Sequence, residues 1–218
     1  MQGHFDLTML NTPGLTRDLI EAVRREGGDP AVEDYLRKFA KEGEWKTDNL
    51  IFQTTPCILY YHAFAGPSIY GGQPMSTGGL ACIVLAITSP EPTYNGEVAA
   101  VYLGATWESL PDGAGIGTGR GKRFINDCIV TPDFKVDSSG REAVYGKFKW
   151  LYLPGEATSS VIRSVTVYGY KDDPAIAGNY YHRTGRVRIK DSGGNPVTIS
   201  KISTRSLLVE YTYTMPTL

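Results

Sequence analysis

Near the end of the sequence, the stretch Leu207-Leu208-Val209-Glu210-Tyr211-Thr212-Tyr213-Thr214-Met215 alternates between two kinds of side chain. The odd-numbered side chains are all apolar or aromatic, whereas the even-numbered ones after Leu208 are polar. Successive side chains of a β-strand point to opposite faces of the sheet, so this alternation predicts a strand with one face in a hydrophobic core.

The same two-residue period recurs earlier in the chain. In residues 143–153, the side chains of Val144, Phe148, Trp150 and Tyr152 share one face. Further strands are predicted at 81–89, 98–106, 122–130, 161–170, 186–190 and 197–202. The glycine-rich turn Asp191–Asn195 predicts a long terminal hairpin, in which 186–190 returns through 197–202 and 207–215. Strands at this spacing, with no helical pattern between them, predict a mainly β protein, an antiparallel β-sandwich.

The first part of the chain has a different, helical period. Thr16 is suited to cap a first helix that ends at Gly27-Gly28, and Asp29-Pro30 restarts the pattern until Gly43. We therefore divide the chain into a helical N-terminal segment or arm, residues 1–45, and a β-sandwich domain with one short helix, residues 46–218. The arm is expected either to pack on the sheet or to reach a neighbouring subunit. Residues 57–65 fit a helix and a strand equally well.

Composition and charge argue against several classes of protein. The net charge of -1 and pI of about 6.3 provide no general attraction to nucleic acid or to anionic membranes. The first residues lack the basic and apolar regions of a signal peptide, and no apolar run is long enough to span a bilayer. Three widely spaced cysteines, Cys57, Cys82 and Cys128, do not form a disulfide framework.

The motif most suggestive of chemistry is the glycine-rich run at residues 113–123. A phosphate-binding Walker loop needs a glycine where Ile116 stands and a hydroxyl side chain where Arg123 stands. No helical pattern follows Gly121, which a dinucleotide-binding loop would also require. We interpret the run as a loop that contacts a partner or another subunit, rather than as a cofactor site.

Other candidate sites are also better explained by structure. Ser68 lacks the second glycine of a nucleophile elbow, and the histidines His4, His62 and His182 are not spaced to serve it as a base. His4 is expected in a mobile terminus. Cysteine and histidine do not occur at metal-binding spacings. A pair of carboxylates for glycoside hydrolysis would need a defined separation, which the sequence does not give for the acids Asp127, Asp133 and Glu142. We predict no catalytic, cofactor-binding or metal-ligating residue, and therefore no enzyme activity and no cofactor.

A basic stripe, with tyrosines 180 and 181 beside it, could bind nucleic acid through charge and stacking. Its members are Arg183, Arg186, Arg188 and Lys190. The alternative, which we favour, is an outward strand face whose charges prevent wrong edge pairing.

These features, taken in order, resemble those of virion structural proteins of tailed bacteriophages, including β-sandwich proteins of the tail and neck. The resemblance covers residues 46–218 and is carried by four segments: 49–54, Val161–Val167, Arg186–Asn195 and Leu207–Thr214. The chain departs from the pattern at Pro56, where a glycine turn is expected, and in a longer 90–121 region.

The resemblance implies a structural, non-enzymatic role in a virion assembled in the cytoplasm of the host bacterium. The expected protein is a symmetric homo-oligomer of the tail, neck or collar, such as a head-tail connector. Its expected partners are portal, tail or fibre subunits, with no membrane and no nucleic acid. The alternative is a capsid-decorating or receptor-binding module.

Overall fold

The computed structural model describes residues 2–51, 79–86, 121–124, 127–131, 133–136, 143–172 and 179–216. Within these residues the chain forms mainly antiparallel strands and one helix, as the alternating sequence predicts. In chain order the elements are β1 (Gln2–Asn11), α1 (Arg17–Arg37), β2 (Lys41–Ile51), β3 (Gly79–Ala86), β4 (Lys122–Phe124), β5 (Asp133–Val136), β6 (Ala143–Tyr152), β7 (Ser159–Ile162), β8 (Ser164–Asp172), β9 (Asn179–Arg188), β10 (Ile199–Lys201) and β11 (Arg205–Pro216).

Nine of these strands form one sheet in the order β4-β3-β8-β9-β2-β1-β11-β6-β5. Every neighbouring pair in it is antiparallel. The strands β10 and β7 form a separate two-stranded sheet. The large sheet has two halves that meet at β2, because most of β2 pairs with β1 and only Leu50 and Ile51 pair with β9.

The start of the chain differs from the prediction. Residues 2–11 form β1, which lies between β2 and β11 in the sheet, so His4 is not in a mobile terminus. The alternation of Phe5, Leu7 and Met9 buries one face of β1, and this short pattern was overlooked beside the stronger helical one. The helix follows β1, and the boundary predicted between residues 45 and 46 falls inside β2.

The predicted terminal hairpin is wrong in its pairing. The turn itself is present, because Asp191 N donates to Asn195 O and Val197 N donates to Ile189 O, both at 2.9 Å. However, β9 pairs with β8 and β2, whereas β11 lies between β1 and β6. Local turn chemistry determines the turn but not which distant strand pairs with β11.

Two other predicted strands are interrupted. The run 161–170 is divided at Arg163 into β7 and β8, which brings Ile162 into the same core as Val165 and Val167. Of the described residues in the run 122–130, those of β4 form a strand, and Cys128 adds an isolated bridge to Trp150. The strand predicted at 98–106 and the segment 57–65 lie outside the described residues.

One hydrophobic core receives side chains from both halves of the sheet. The aromatic residues of this core belong to β1, β6 and β11, and Trp150 and Tyr211 are among the largest fully buried side chains. From β3, β8 and β9 come aliphatic residues: Ile83, Leu85, Val165, Val167, Val187 and, just after β9, Ile189. The predicted face of β11 is confirmed for Leu207, Val209 and Tyr211, all buried in this core.

A second core lies on the opposite face of β1, β6 and β11, where α1 covers the sheet. Ile20, Val32 and Leu36 of the helix pack with Leu10 of β1 and Leu151 of β6. The helix starts at the predicted cap, because the Thr16 hydroxyl accepts a hydrogen bond from Leu19 N at 3.3 Å. It is kinked at Gly28, whose φ of 69° and ψ of -166° are non-helical.

Polar contacts dock the kink of α1 onto the segment before β5. The Asp29 carboxylate accepts a hydrogen bond from Thr131 N at 2.6 Å and lies 3.3 Å from Arg24 Nε. The Arg24 guanidinium in turn donates to Ile129 O. Partial burial alone would raise the pKa of Asp29, but the Thr131 hydrogen bonds and Arg24 outweigh it and lower that pKa. Of the two arrangements predicted for the helical segment, the described helix packs on its own sheet.

Replacing Asp29 by Asn should lower the free energy of unfolding at pH 7 by about 1–2 kcal/mol, because the hydrogen bond to Thr131 loses its charge. The folded pKa of Asp29 is depressed, so its contribution is present above the unfolded pKa and is lost as the pH falls through the folded value. Urea denaturation at pH 7 and pH 3 measures both effects.

The matched control is Asp34→Asn, because the Asp34 side chain is 68% exposed and its ion-pair contact is with Arg37 of the same helix. It should change stability by less than about 0.5 kcal/mol. Equal effects of the two substitutions would contradict a docking role for Asp29.

Candidate functional site

The most deeply buried charges in the described part of the chain, Arg123 and Lys201, lie around the turn that follows β6. Residues Leu153-Pro154-Gly155-Glu156 form a tight turn in which Glu156 N donates to Leu153 O at 3.0 Å. Proline followed by a glycine with φ of 80° is the signature of a type II turn. The next residue, Ala157, is fully buried and has a positive φ of 46°, which costs a non-glycine residue energy.

Glu156 is the centre of an ionic cluster, defined here as Arg17, Arg123, Glu156 and Lys201. The Glu156 side chain is 12% exposed, and its Oε2 accepts hydrogen bonds from Leu153 N at 2.8 Å and Arg123 Nη2 at 2.5 Å. Its Oε1 lies 3.8 Å from Arg17 Nη2 at the start of α1. One carboxylate thus joins the helix, strand β4 and its own turn.

Lys201 is the last residue of β10, and its side chain is fully buried. Its Nζ donates to two backbone carbonyls of the turn, Leu153 O at 2.9 Å and Glu156 O at 2.6 Å. The pKa of the Lys201 ammonium is lowered to about 8, mainly by burial; Glu156 partly opposes this shift and Arg123 adds to it. Lys201 therefore holds β10 against the turn, but keeping its ammonium charged in this buried position costs free energy.

The cluster also fixes the end of the glycine-rich segment. The Arg123 guanidinium lies 4.6 Å from the centre of the Tyr152 ring, and the Tyr152 hydroxyl donates to Gly121 O at 2.9 Å. Leu85 N donates to the same carbonyl at 2.9 Å. A strand follows Gly121 rather than a helix, so no helix N-terminus is available there to bind phosphate, and the Arg123 side chain is engaged by Glu156.

The other residues considered from the sequence lie apart wherever the structure describes them. His4 Nδ1 lies 2.8 Å from Asp48 Oδ1 and His4 Nε2 lies 3.3 Å from Asp6 Oδ1, on the outer face of β1 and β2. Burial raises the pKa of the Cys128 thiol to about 12, so it is protonated and poorly nucleophilic at neutral pH. Asp133 lies in β5 and Asp127 in the turn before Cys128. Ser68, His62 and Glu142 lie outside the described residues.

Beneath the C-terminal half of α1 is a cleft of about 180 Å³ with an apolar floor and a charged rim. Lys149 lies at its rim, where it forms an ion pair with Glu33 and lies 3.7 Å from Glu210. The remaining lining residues are Thr8, Leu10, Leu36, Arg37, Lys41, Ile129, Val130 and Leu208. Its charged side chains join the helix to the sheet, as the Glu156 cluster does at the turn.

Among the described residues, no group of three or more histidine, cysteine, aspartate or glutamate side chains is placed to hold a metal ion. No helix within the same residues is long and apolar enough to cross a membrane. No protein-family model matches the chain, and neither a curated protein nor a solved structure is detectably similar to it.

Sequence reasoning missed the ionic cluster. Its members come from four segments far apart in the chain, and none belongs to a recognisable motif. The available signals were Pro154-Gly155, which marks a type II turn, and the alternation of Ile199 and Lys201, which places a lysine on a buried face.

Glu156→Gln should lower the free energy of unfolding by about 3 kcal/mol or more, because Arg123 and Lys201 would remain buried without a carboxylate. The control is Glu21→Gln, since the Glu21 side chain is 48% exposed and its ion pair with Arg24 lies on the helix surface. We expect that variant to lose less than about 0.5 kcal/mol in urea denaturation. If Glu156→Gln lowered the free energy of unfolding no more than Glu21→Gln does, the cluster would not stabilise the fold.

Proposed function

We propose that this protein is a structural, non-enzymatic subunit of a tailed bacteriophage particle. In this proposal it assembles as a symmetric homo-oligomer in the tail, neck or collar and contacts portal, tail or fibre proteins. The two halves of the large sheet pack face to face as a sandwich, and the subunit is incorporated into virions in the host cytoplasm. It needs no catalytic residue and no cofactor for this role.

The observation that carries the proposal is a difference in structure between the two ends of the large sheet. The strand registers place the start of β1, the end of β2, the start of β6 and the end of β11 at one end, which we call the terminal end. In the other half of the sheet, the registers place the end of β8 beside the starts of β3 and β9. The segment 52–78 follows the end of β2 at the terminal end, and the segment 137–142 precedes the start of β6 there.

The opposite end, which we call the turn end, is closed by packed structure. It carries α1, the Leu153–Glu156 turn, the β10–β7 sheet and the Asp191–Asn195 turn. The segment 87–120, which joins β3 to β4, attaches at this end, because the Tyr152 hydroxyl donates to Gly121 O. A packed scaffold with connections at its terminal end supports a binding role for that end, because connections on such a scaffold carry contacts to other molecules.

The sheet face beside the terminal end is charged rather than apolar. Cross-strand neighbours form the row Lys149, Glu210, Asp6 and Lys46, with acids in the middle and lysines outside. Asp48 is 90% exposed at the edge of this face. Mixed charges of this kind favour polar contacts that fix the register between subunits more than they add affinity, which supports assembly through specific docking.

Charge reversal at the terminal end should weaken self-association of the purified chain. We expect Asp48→Lys to shift sedimentation-equilibrium distributions at micromolar concentration toward the monomer. Asp34→Lys on α1, away from the terminal end, should leave them unchanged. A wild-type chain that is monomeric at these concentrations would contradict the homo-oligomer.

Location in intact particles tests the virion role separately. Immunogold labelling of purified particles should mark the tail, neck or collar. Labelling of the capsid facets would instead favour a capsid-decorating module, and the absence of the protein from particles would overturn the proposal.

A further inference from the structure

Within the described residues, the ionic cluster contains three cationic side chains around one carboxylate. Arg17, Arg123 and Lys201 all lie near the carboxylate of Glu156. Lys201 is fully buried, and its contacts in the turn are backbone carbonyls. A buried ammonium in such surroundings has lost the favourable free energy of hydration that it would have in water.

A second, independent strain lies in the same turn. Ala157 is fully buried with a φ of 46°, a conformation that favours glycine and that persists in other residues only when the surrounding structure enforces it. The residues that enforce it here are Glu156, through Arg123, and Lys201, through its two carbonyl bonds. The closed form of the turn therefore carries both a costly charge and a costly backbone conformation.

Two of the strands joined by this cluster, β10 and β4, are the shortest strands in the described part of the chain. Strand β10 has three residues and pairs with β7 at Ile199–Ile162 and Lys201–Ser159, with a register shift between them. Strand β4 also has three residues and is the edge of the nine-stranded sheet. Few backbone hydrogen bonds must break for these elements to separate, so local opening is cheapest here.

We propose that the turn from Leu153 to Thr158 is a proton-dependent latch. Protonation of Lys201 shifts the equilibrium toward an open state in which β10 moves away from the turn and the ammonium reaches water. The turn then relaxes at Ala157, and Glu156 releases Arg123 of β4, the strand that follows the glycine-rich segment. When Lys201 is neutral, the closed state described above is favoured.

The direction of the pH dependence follows from the two states of Lys201. In the closed state the pKa of Lys201 is about 8, whereas a hydrated lysine has its ordinary value of 10.5. Between these values the open state holds a proton that the closed state lacks, so the closed state gains stability as the pH rises through 8. Among the described residues, the groups facing Lys201 are Glu156 and Arg123, with Arg17 and Tyr152 behind them.

Hydrogen exchange measured by mass spectrometry at pH 7 and pH 9 tests the latch, with each rate divided by the intrinsic rate of its amide. In the wild-type chain the opening constant of peptides covering 121–124, 153–162 and 199–201 should fall roughly tenfold from pH 7 to pH 9. Peptides from β1 and β11 should not change. An equal opening constant at both pH values would overturn the proposal.

Two variants separate the latch from general effects of pH. Lys201→Met carries no charge, so its opening constant should be the same at both pH values and lower than that of the wild type at pH 7. Lys201→Arg stays charged, so its opening constant should remain high at pH 9. A tenfold change that survives in either folded variant would contradict the assignment to Lys201. If neither variant folds, the wild-type comparison decides alone.

Discussion

The pairing of β1 with β11 is the constraint on which the rest of the structure depends. It joins the first and last described strands over ten residue pairs, and β6 and β2 are added on either side. The three strands β1, β11 and β6 are apolar on one face along most of their length, where they meet the large core. On the other face they are apolar only near the turn end, and α1 covers that part. The position of the helix and the charged face beside it both follow from this division.

The ionic cluster solves a problem that this arrangement creates. Strand β6 ends at Tyr152 in the core, and the chain must reverse at once to reach β7 and β8. A sharp reversal leaves backbone carbonyls inside the protein, and such groups must be hydrogen-bonded. Lys201 reaches two of them from β10, and Glu156 balances part of the resulting charge. The polar residues at the turn end are thus a consequence of where β6 stops.

Side-chain periodicity predicted much of the fold, but it did not predict the pairing of the strands. The alternation in β6 and β11 correctly indicated which side chains enter the core, and Thr16 and Gly28 marked the start and the kink of α1. The register of β11 between β1 and β6 depends on contacts across the whole chain, which no local pattern specifies. For the same reason the Glu156 cluster was not predicted: its four members carry no shared motif, and only the fold brings them together.

The adjacency of β1 and β11 also has a consequence for how the protein is made. Strand β1 is synthesised before the other described strands, yet one of its two edges has no partner until residues 205–216 leave the ribosome. Contacts between such distant segments slow folding, because a long loop must close before they contribute energy. A half-made chain would expose the edge of β1 and the apolar side chains of Phe5, Leu7 and Met9 to other nascent chains. Productive synthesis of this protein therefore depends on keeping that edge covered until β11 has been made.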